Sequence, residues 1–250
     1  MKKIIALLIF VCAGAALFAQ NVRVSLGGGG YFTANWNAAT MNSEWTDYFK
    51  NDKVSYYNSY LVGGGIYGFF DATYIEANLG VLLGGQKNEQ YPPGSSTDDQ
   101  KGFEVTAFKI GIFGKYPFEL GGSVSVFPML GLDIMLPLGG KMWGRDLDNK
   151  DLKDEVNSLI DKYKNKNPKD VFNNMFTQVW LKLGVGADFY ATEHIFVRPE
   201  VMWGFRMFNN DMEKDLFIGS FKTDDPKNQK PAKSIFGHGL DIRLAVGYRF

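Results

Sequence analysis

The 250-residue sequence has little of several features that would assign a protein to a common class. Its only cysteine is Cys12, so an exported chain that has lost its first residues has no disulfide framework and must be stabilised by other means. Lysine and arginine together number 27, as do aspartate and glutamate, so the basic excess that nucleic-acid binding requires is lacking. The sequence therefore predicts no nucleic-acid partner.

Long hydrophobic runs are also scarce. After residue 18 no run approaches the roughly 20 apolar residues of a transmembrane helix, which argues against a helical membrane protein. The apolar run at 4–18 follows Lys2 and Lys3 and ends at Ala19, which predicts a secretory signal peptide at 1–19 and one mature domain at 20–250. Cys12 lies inside this run without the small neighbours of a lipidation site, so a lipoprotein is not favoured.

Glycine and aromatic residues, by contrast, are abundant, and the C-terminal segment alternates strictly. Glycine numbers 29 and aromatics make up 15% of the sequence. The even positions from 236 onward are almost all apolar: Phe236, His238, Leu240, Ile242, Leu244, Val246, Tyr248 and Phe250. The odd positions between them are glycine, polar or charged, apart from Ala245. This period of two is typical of a transmembrane β-strand with lipid on one side and a polar interior on the other.

Seven further segments alternate in the same way. The eight candidate strands cover about 22–33, 57–70, 72–83, 103–116, 122–134, 177–190, 194–207 and 236–250. Pro128 cannot donate to a strand ladder, so we expect a bulge there.

The connections between these strands alternate in length. Short turns are predicted at Asp71, 117–121 and 191–193, and long polar loops at 34–56, 84–102, 135–176 and 208–233. Short periplasmic turns and long external loops are the outer-membrane pattern. The predicted fold class is therefore all-β, an eight-stranded antiparallel transmembrane β-barrel with both termini in the periplasm.

The third long loop contains a helical pattern. Between 151 and 164, apolar residues recur at helical spacing: Leu152, Val156, Leu159, Ile160 and Tyr163. This predicts a short helix whose apolar stripe packs on the loop or on the barrel rim. A contact with a partner or with the membrane surface is the alternative.

Charged residues recur on the predicted inner face. The expected lumen charge network consists of Arg23, Glu76, Lys109, Asp133, Lys182, Asp188, Arg198, Glu200, Asp241 and Arg243. Unpaired charges in so narrow an interior would be costly, so we expect ion pairs that fill the barrel. A narrow selective conduit is the alternative, whereas a wide porin would need about twice as many strands.

Catalytic and metal-binding patterns are weak. His194 falls at a predicted periplasmic turn and His238 near the outer end of the last strand, so we expect them at opposite ends of the barrel. No serine stands two residues after His238, as a lipid A deacylase would require. The prediction is that the chain is not an enzyme and that it has no cofactor or metal.

Together the signal, the eight strands, the loop asymmetry and the terminal Val-Gly-Tyr-Arg-Phe sequence resemble the small outer-membrane barrel families that include OmpA, OmpX, OmpW and the opacity-type antigens. The resemblance implies a cell outer-membrane location and contact with its lipid. It also implies that Tyr248 and Phe250 form a signal for the barrel-assembly machinery. The function implied is structural or surface-interacting, with the loops binding a host or surface ligand. An OmpW-like channel for small or apolar solutes is the alternative.

Overall fold

The structure, a computed structural model, describes residues 22–41, 56–88, 102–159, 167–207 and 232–250. The predicted signal peptide at 1–19 lies outside the described residues. Eight long strands are present: β1 (Val24–Met41), β2 (Tyr56–Ala72), β3 (Ile75–Asn88), β4 (Phe103–Lys115), β6 (Val124–Met142), β8 (Gln178–Tyr190), β9 (Ile195–Arg206) and β10 (Ala232–Arg249). Two-residue strands, β5 (Phe118–Glu119) and β7 (Arg145–Asp146), extend the connections on either side of β6.

The eight long strands form one closed antiparallel barrel. Their order around the ring is β4-β3-β2-β1-β10-β9-β8-β6, and β4 pairs with β6 to close it. The first and last strands lie side by side, with Tyr31 opposite Arg243. The predicted fold class, an all-β, eight-stranded antiparallel barrel, is confirmed. We call the end with the connections 73–74, 116–123 and 191–194 the short-turn end, and the opposite end the long-loop end.

Side chains alternate between the two faces of the barrel wall. On β10, Asp241, Arg243 and Ala245 are buried inside, whereas Ile242 and Leu244 are 48% and 59% exposed on the outside. The same alternation runs along the other long strands, so the inner face is polar or small and the outer face is apolar. A continuous apolar belt of this kind requires lipid around it.

Two local predictions at β2 and β6 were wrong. Asp71 is not a turn residue: it ends the inward-facing series of β2, and the turn lies at Thr73 and Tyr74. Thr73 has a left-handed φ of 64°, and its hydroxyl donates to the Arg23 carbonyl and accepts from the Arg23 N–H. Pro128 keeps its register opposite Val185, so it causes no bulge.

A register shift does occur on β6, in its pairing with β4 rather than at Pro128. Thr106 pairs with Gly139 and Ala107 with Pro137, so Leu138 is the additional residue on β6. The irregularity lies at the long-loop end, ten residues beyond the predicted position.

The third long loop contains two helices, α1 (Lys150–Leu159) and α2 (Pro168–Phe176). The helix predicted at 151–164 corresponds to α1, and the part of that prediction after Leu159 lies outside the described residues. The sequence did not predict α2. It begins at Asn167, whose side-chain oxygen accepts a hydrogen bond from the Lys169 N–H, and Pro168 occupies its first turn. Within the described ranges neither helix is long and apolar enough to cross a membrane.

Candidate functional site

An apolar plug closes the barrel interior at the long-loop end. It consists of Leu152 from α1 and four residues of α2, namely Val171, Phe172, Met175 and Phe176, each at most 3% exposed. Phe176 packs edge-on against Phe103 of β4, with ring centroids 5.6 Å apart. Phe172 lies over Gly140 of β6, where a Cβ atom would come within 2.7 Å of the ring. The glycine therefore leaves the space that the helix occupies.

Beneath the plug lies an upper charge cluster, which comprises Lys109, Asp133, Lys182, Asp241 and Arg243. Lys109 Nζ is 3.1 Å from one oxygen each of Asp133 and Asp241. Lys182 Nζ lies 2.7 Å from Asp133 and donates to Asp241 as well. The Arg243 guanidinium is 3.4 Å from Asp241. Three cations thus share two carboxylates, and no side chain of the cluster is more than 9% exposed.

A lower charge cluster lies towards the short-turn end. It comprises Asp71, Glu76, Lys115, Asp188 and Arg198. Arg198 donates two hydrogen bonds to Asp188, one to Glu76 and one to Asp71, at 2.6 to 2.8 Å. Lys115 also donates to Asp71. Because charge-assisted hydrogen bonds are stronger in a medium of low polarity, Arg198 fixes the relative positions of β2, β3 and β8.

Aromatic rings surround the Arg198 guanidinium. Its central carbon lies 4.5 Å from the Phe69 ring centroid, 4.9 Å from that of Phe196 and 5.1 Å from that of Phe127. Cation–π contacts of this kind add to the ion pairs where water is excluded. The lower cluster therefore combines charge pairing with close packing.

Between the two clusters lies Glu200. Arg243 approaches it at 3.9 Å, and neither carboxylate oxygen of Glu200 has a hydrogen-bond partner among the described residues. A cavity of about 10 Å³ lies beside Tyr31, Tyr67 and Arg243. That volume corresponds to about one water molecule, so it is too small for a solute to pass.

The short-turn end is more open. A cavity of about 260 Å³ lies there, which we call the vestibule. Its wall includes Arg23, Lys115, Glu119, Asp188 and Arg249. The lower charge cluster forms its floor, so the interior is open at one end and closed at the other.

Nine of the ten residues predicted for the lumen charge network are buried inside the barrel, and they fall into the two clusters and Glu200. Arg23 does not: it precedes β1, its side chain is 55% exposed, and it pairs with Glu119 at the vestibule rim. The prediction for Arg23 was wrong because it extended the inward-facing alternation to a residue that lies before the start of β1. Asp71 was missed because it was taken as a turn residue. It follows the inward-facing Tyr67 and Phe69 at a spacing of two, so it also faces inward.

The structure does not bring the two histidines together. His194 stacks on Tyr248 at the short-turn end, and its Nδ1 lies 2.9 Å from the Arg249 carbonyl oxygen. His238 lies on the outer face near the long-loop end, among aromatic rings. In the part of the chain that the structure describes, no group of three or more histidine, cysteine, aspartate or glutamate side chains could hold a metal ion.

Comparisons with known proteins identify a family. The family model described as outer membrane protein beta-barrel domain matches residues 18–209. No curated protein matches the sequence. Among solved structures, OprG from Pseudomonas aeruginosa is 10% identical, covers 92% of this chain and 96% of its own, and has a TM-score of 0.43.

Two further solved structures are similar at the same level. Neisserial surface protein A is 11% identical, with 90% of this chain and 99% of that chain covered and a TM-score of 0.38. Ail of Yersinia pestis, in complex with a heparin analogue, is 10% identical, with 92% and 100% covered and a TM-score of 0.36.

Proposed function

This chain belongs to the outer membrane protein β-barrel domain family, and from that premise we propose that it is a closed barrel that acts at the cell surface through its external loops. The family places the protein in the outer membrane. The proposal adds that the barrel wall and interior are structural and that binding of a surface ligand takes place outside the membrane.

The observation that carries this proposal is the filling of the interior. The apolar plug lies over the upper charge cluster, and the lower charge cluster lies below that. A solute would have to break several buried ion pairs and displace α2 to cross. Breaking one buried ion pair costs about 3–5 kcal/mol, so passage at rest is strongly disfavoured.

A narrow channel for small or apolar solutes is the second candidate. The vestibule of about 260 Å³ favours it, because a solute could enter the barrel from the short-turn end as far as the lower charge cluster. In this alternative α2 would have to leave the long-loop end to complete the path.

Recording single-channel current in planar bilayers distinguishes the two candidates. We expect no discrete openings from the folded, heat-modifiable protein, nor from Lys109→Gln in the upper charge cluster. Lys141→Gln is the matched control, because Lys141 is 43% exposed at the long-loop rim and pairs with Glu104 at 3.7 Å. Reproducible openings whose ion selectivity changes in Lys109→Gln but not in Lys141→Gln would overturn the closed barrel and support the channel.

A further inference from the structure

The only histidine on the outer face of the long strands, within the described residues, is enclosed by aromatic rings. His238 stacks on Trp36 with ring centroids 5.7 Å apart and an interplanar angle of 14°. Phe205, Phe236 and Trp203 surround it at 5.3, 5.6 and 5.8 Å. We call these five residues the aromatic-histidine patch. It spans β1, β9 and β10 and faces away from the interior.

The patch lies at the level of the lipid headgroups. On β10 it is separated from Tyr248, which lies at the short-turn end, by ten residues, and the outward positions between them are Leu240, Ile242, Leu244 and Val246. At about 3.3 Å per residue and a strand tilt of about 40°, ten residues span about 25 Å along the barrel axis. That is the height of the apolar band of an outer-membrane barrel, so Tyr248 and His238 mark its two borders.

Strand register extends the patch to a cation. Phe205 lies opposite His238, His238 opposite Trp36, and Trp36 opposite Tyr60. Tyr60 in turn lies opposite Lys87 on β3, which is exposed. Lysine and aromatic side chains together are typical of a membrane interface. Because the strands are tilted, Lys87, three strands from His238, lies nearer the long-loop end than the patch, so it adds a positive charge above the headgroup rather than a direct contact.

His238 has an unused hydrogen-bonding capacity. Its Nδ1 is enclosed by the rings and has no hydrogen-bond partner among the described residues. The His238 side chain is partly exposed, and its Nε2 makes no hydrogen bond to the described residues. Nε2 is thus the nitrogen that can donate outward. Lipid tails offer no acceptor, whereas a phosphate group at the headgroup level does.

We propose that the aromatic-histidine patch binds the headgroup of an anionic, phosphate-bearing lipid. His238 Nε2 donates to a phosphate oxygen, the indole rings of Trp36 and Trp203 border the headgroup, and Lys87 contributes long-range attraction. This gives the outer wall a specific lipid site in addition to its general apolar contact with the membrane.

The two histidines allow a direct test, because they give two imidazole signals and lie at opposite borders. The protein is labelled with ¹⁵N-histidine and embedded in nanodiscs of phosphatidylcholine, with or without phosphatidic acid. We expect phosphatidic acid to shift the His238 signal and to leave the His194 signal in place. Equal shifts at both histidines would indicate a general change in surface potential and would overturn the proposal, as would no shift at either.

Lipid retention in native mass spectrometry provides the second measurement. His238→Phe keeps a ring in the patch but removes both nitrogens, and His194→Phe is the matched control. We expect His238→Phe to lower the preference for phosphatidic acid over phosphatidylcholine by about tenfold, the equivalent of one charge-assisted hydrogen bond. An unchanged preference in a His238→Phe protein that remains heat-modifiable would overturn the site.

Discussion

Gly29 and Gly30 are neighbours on β1 whose Cβ positions meet different surroundings. A Cβ atom on Gly29 would lie 2.0 Å from the Leu244 carbonyl oxygen, whereas one on Gly30 would find its nearest atom 3.6 Å away. Because backbone must move in the first case, Gly29→Ala is expected to lower the free energy of unfolding by about 1–3 kcal/mol. Gly30→Ala should change it by less than about 0.5 kcal/mol. Urea unfolding in lipid vesicles, followed by tryptophan fluorescence, measures both, and equal losses would contradict this packing.

Arg198 is the residue on which the lower charge cluster depends. Arg198→Met leaves three buried carboxylates, those of Asp71, Glu76 and Asp188, with Lys115 as their remaining cation in the cluster. We expect a loss of about 3–5 kcal/mol in the free energy of unfolding, because removing one partner leaves buried charge uncompensated.

The control for Arg198 is Arg23, which lies at the rim of the vestibule. In Arg23→Met the lost pair with Glu119 is about half exposed on both sides, so the expected change is below about 1 kcal/mol. The same unfolding assay compares the two variants. A loss in Arg23→Met as large as that in Arg198→Met would show that burial does not set the strength of these pairs.

The alternation of residues along a strand was sufficient to predict which side chains face inward, but not which of them form ion pairs. Lys109 and Asp241 are 132 residues apart, and Arg198 and Glu76 are 122 apart. Their contact depends on the stagger of strands around the ring, which the alternation of residues does not specify. The two charge clusters therefore could not be separated from sequence.

At the scale of the element, the apolar face of α2 packs it into the barrel mouth. Phe172→Asp places a charge where the side chain is fully buried, so we expect α2 to leave the barrel mouth while the strands remain folded. Trypsin should then cleave after Lys169 in the heat-modifiable protein. Asn167→Asp adds the same charge at the exposed N-cap of α2, where an aspartate oxygen can also accept the hydrogen bond from the Lys169 N–H, and should leave cleavage at the wild-type level. Equal cleavage in both variants would contradict the plug.

The boundaries of the long strands were predicted least well where the hydrophobic contrast is weak. Strand β1 continues to Met41, because the inward amides of Asn35 and Asn37 still alternate with Ala34 and Trp36. Helix α2 was not predicted because its sequence includes two asparagines and a proline, which have low helix propensity. Its signals were the Asn-Pro start and the apolar spacing from Val171 to Phe176, which together are typical of a capped amphipathic helix.

The role of Phe250 in a signal for the barrel-assembly machinery stays a prediction. Its N–H donates to the Val24 carbonyl at 3.0 Å, and its ring lies 5.2 Å from that of Tyr248. Deletion of Phe250 should reduce the heat-modifiable fraction in cells, whereas Phe250→Trp should preserve it. Both variants should refold equally in detergent, where the machinery is absent. Normal assembly of the deletion variant in cells would contradict a role of Phe250 in assembly.

At the scale of the whole molecule, the asymmetry of the two ends predicts an orientation. Lys153 on α1 and Glu193 in the last short turn are both exposed. In a Cys12→Ser background, Lys153→Cys should react with a membrane-impermeant maleimide on intact cells, and Glu193→Cys only after the outer membrane is permeabilised. The reverse pattern would place the long loops in the periplasm and contradict a surface function.

The ion pairs of the upper charge cluster also have a consequence for how the barrel folds. Lys109 and Lys182 lie on β4 and β8, whereas Asp241 and Arg243 are both on β10, the strand that pairs with β1 to close the ring. Before β10 is added, two lysines face one carboxylate, Asp133, in a trough that is still open to water. Adding β10 closes the ring and brings Asp241 as a second carboxylate for both lysines, but Arg243 comes with it, so the net charge of the cluster does not change. The two lysines are therefore fully paired only in the closed ring, and reopening it would separate buried ion pairs.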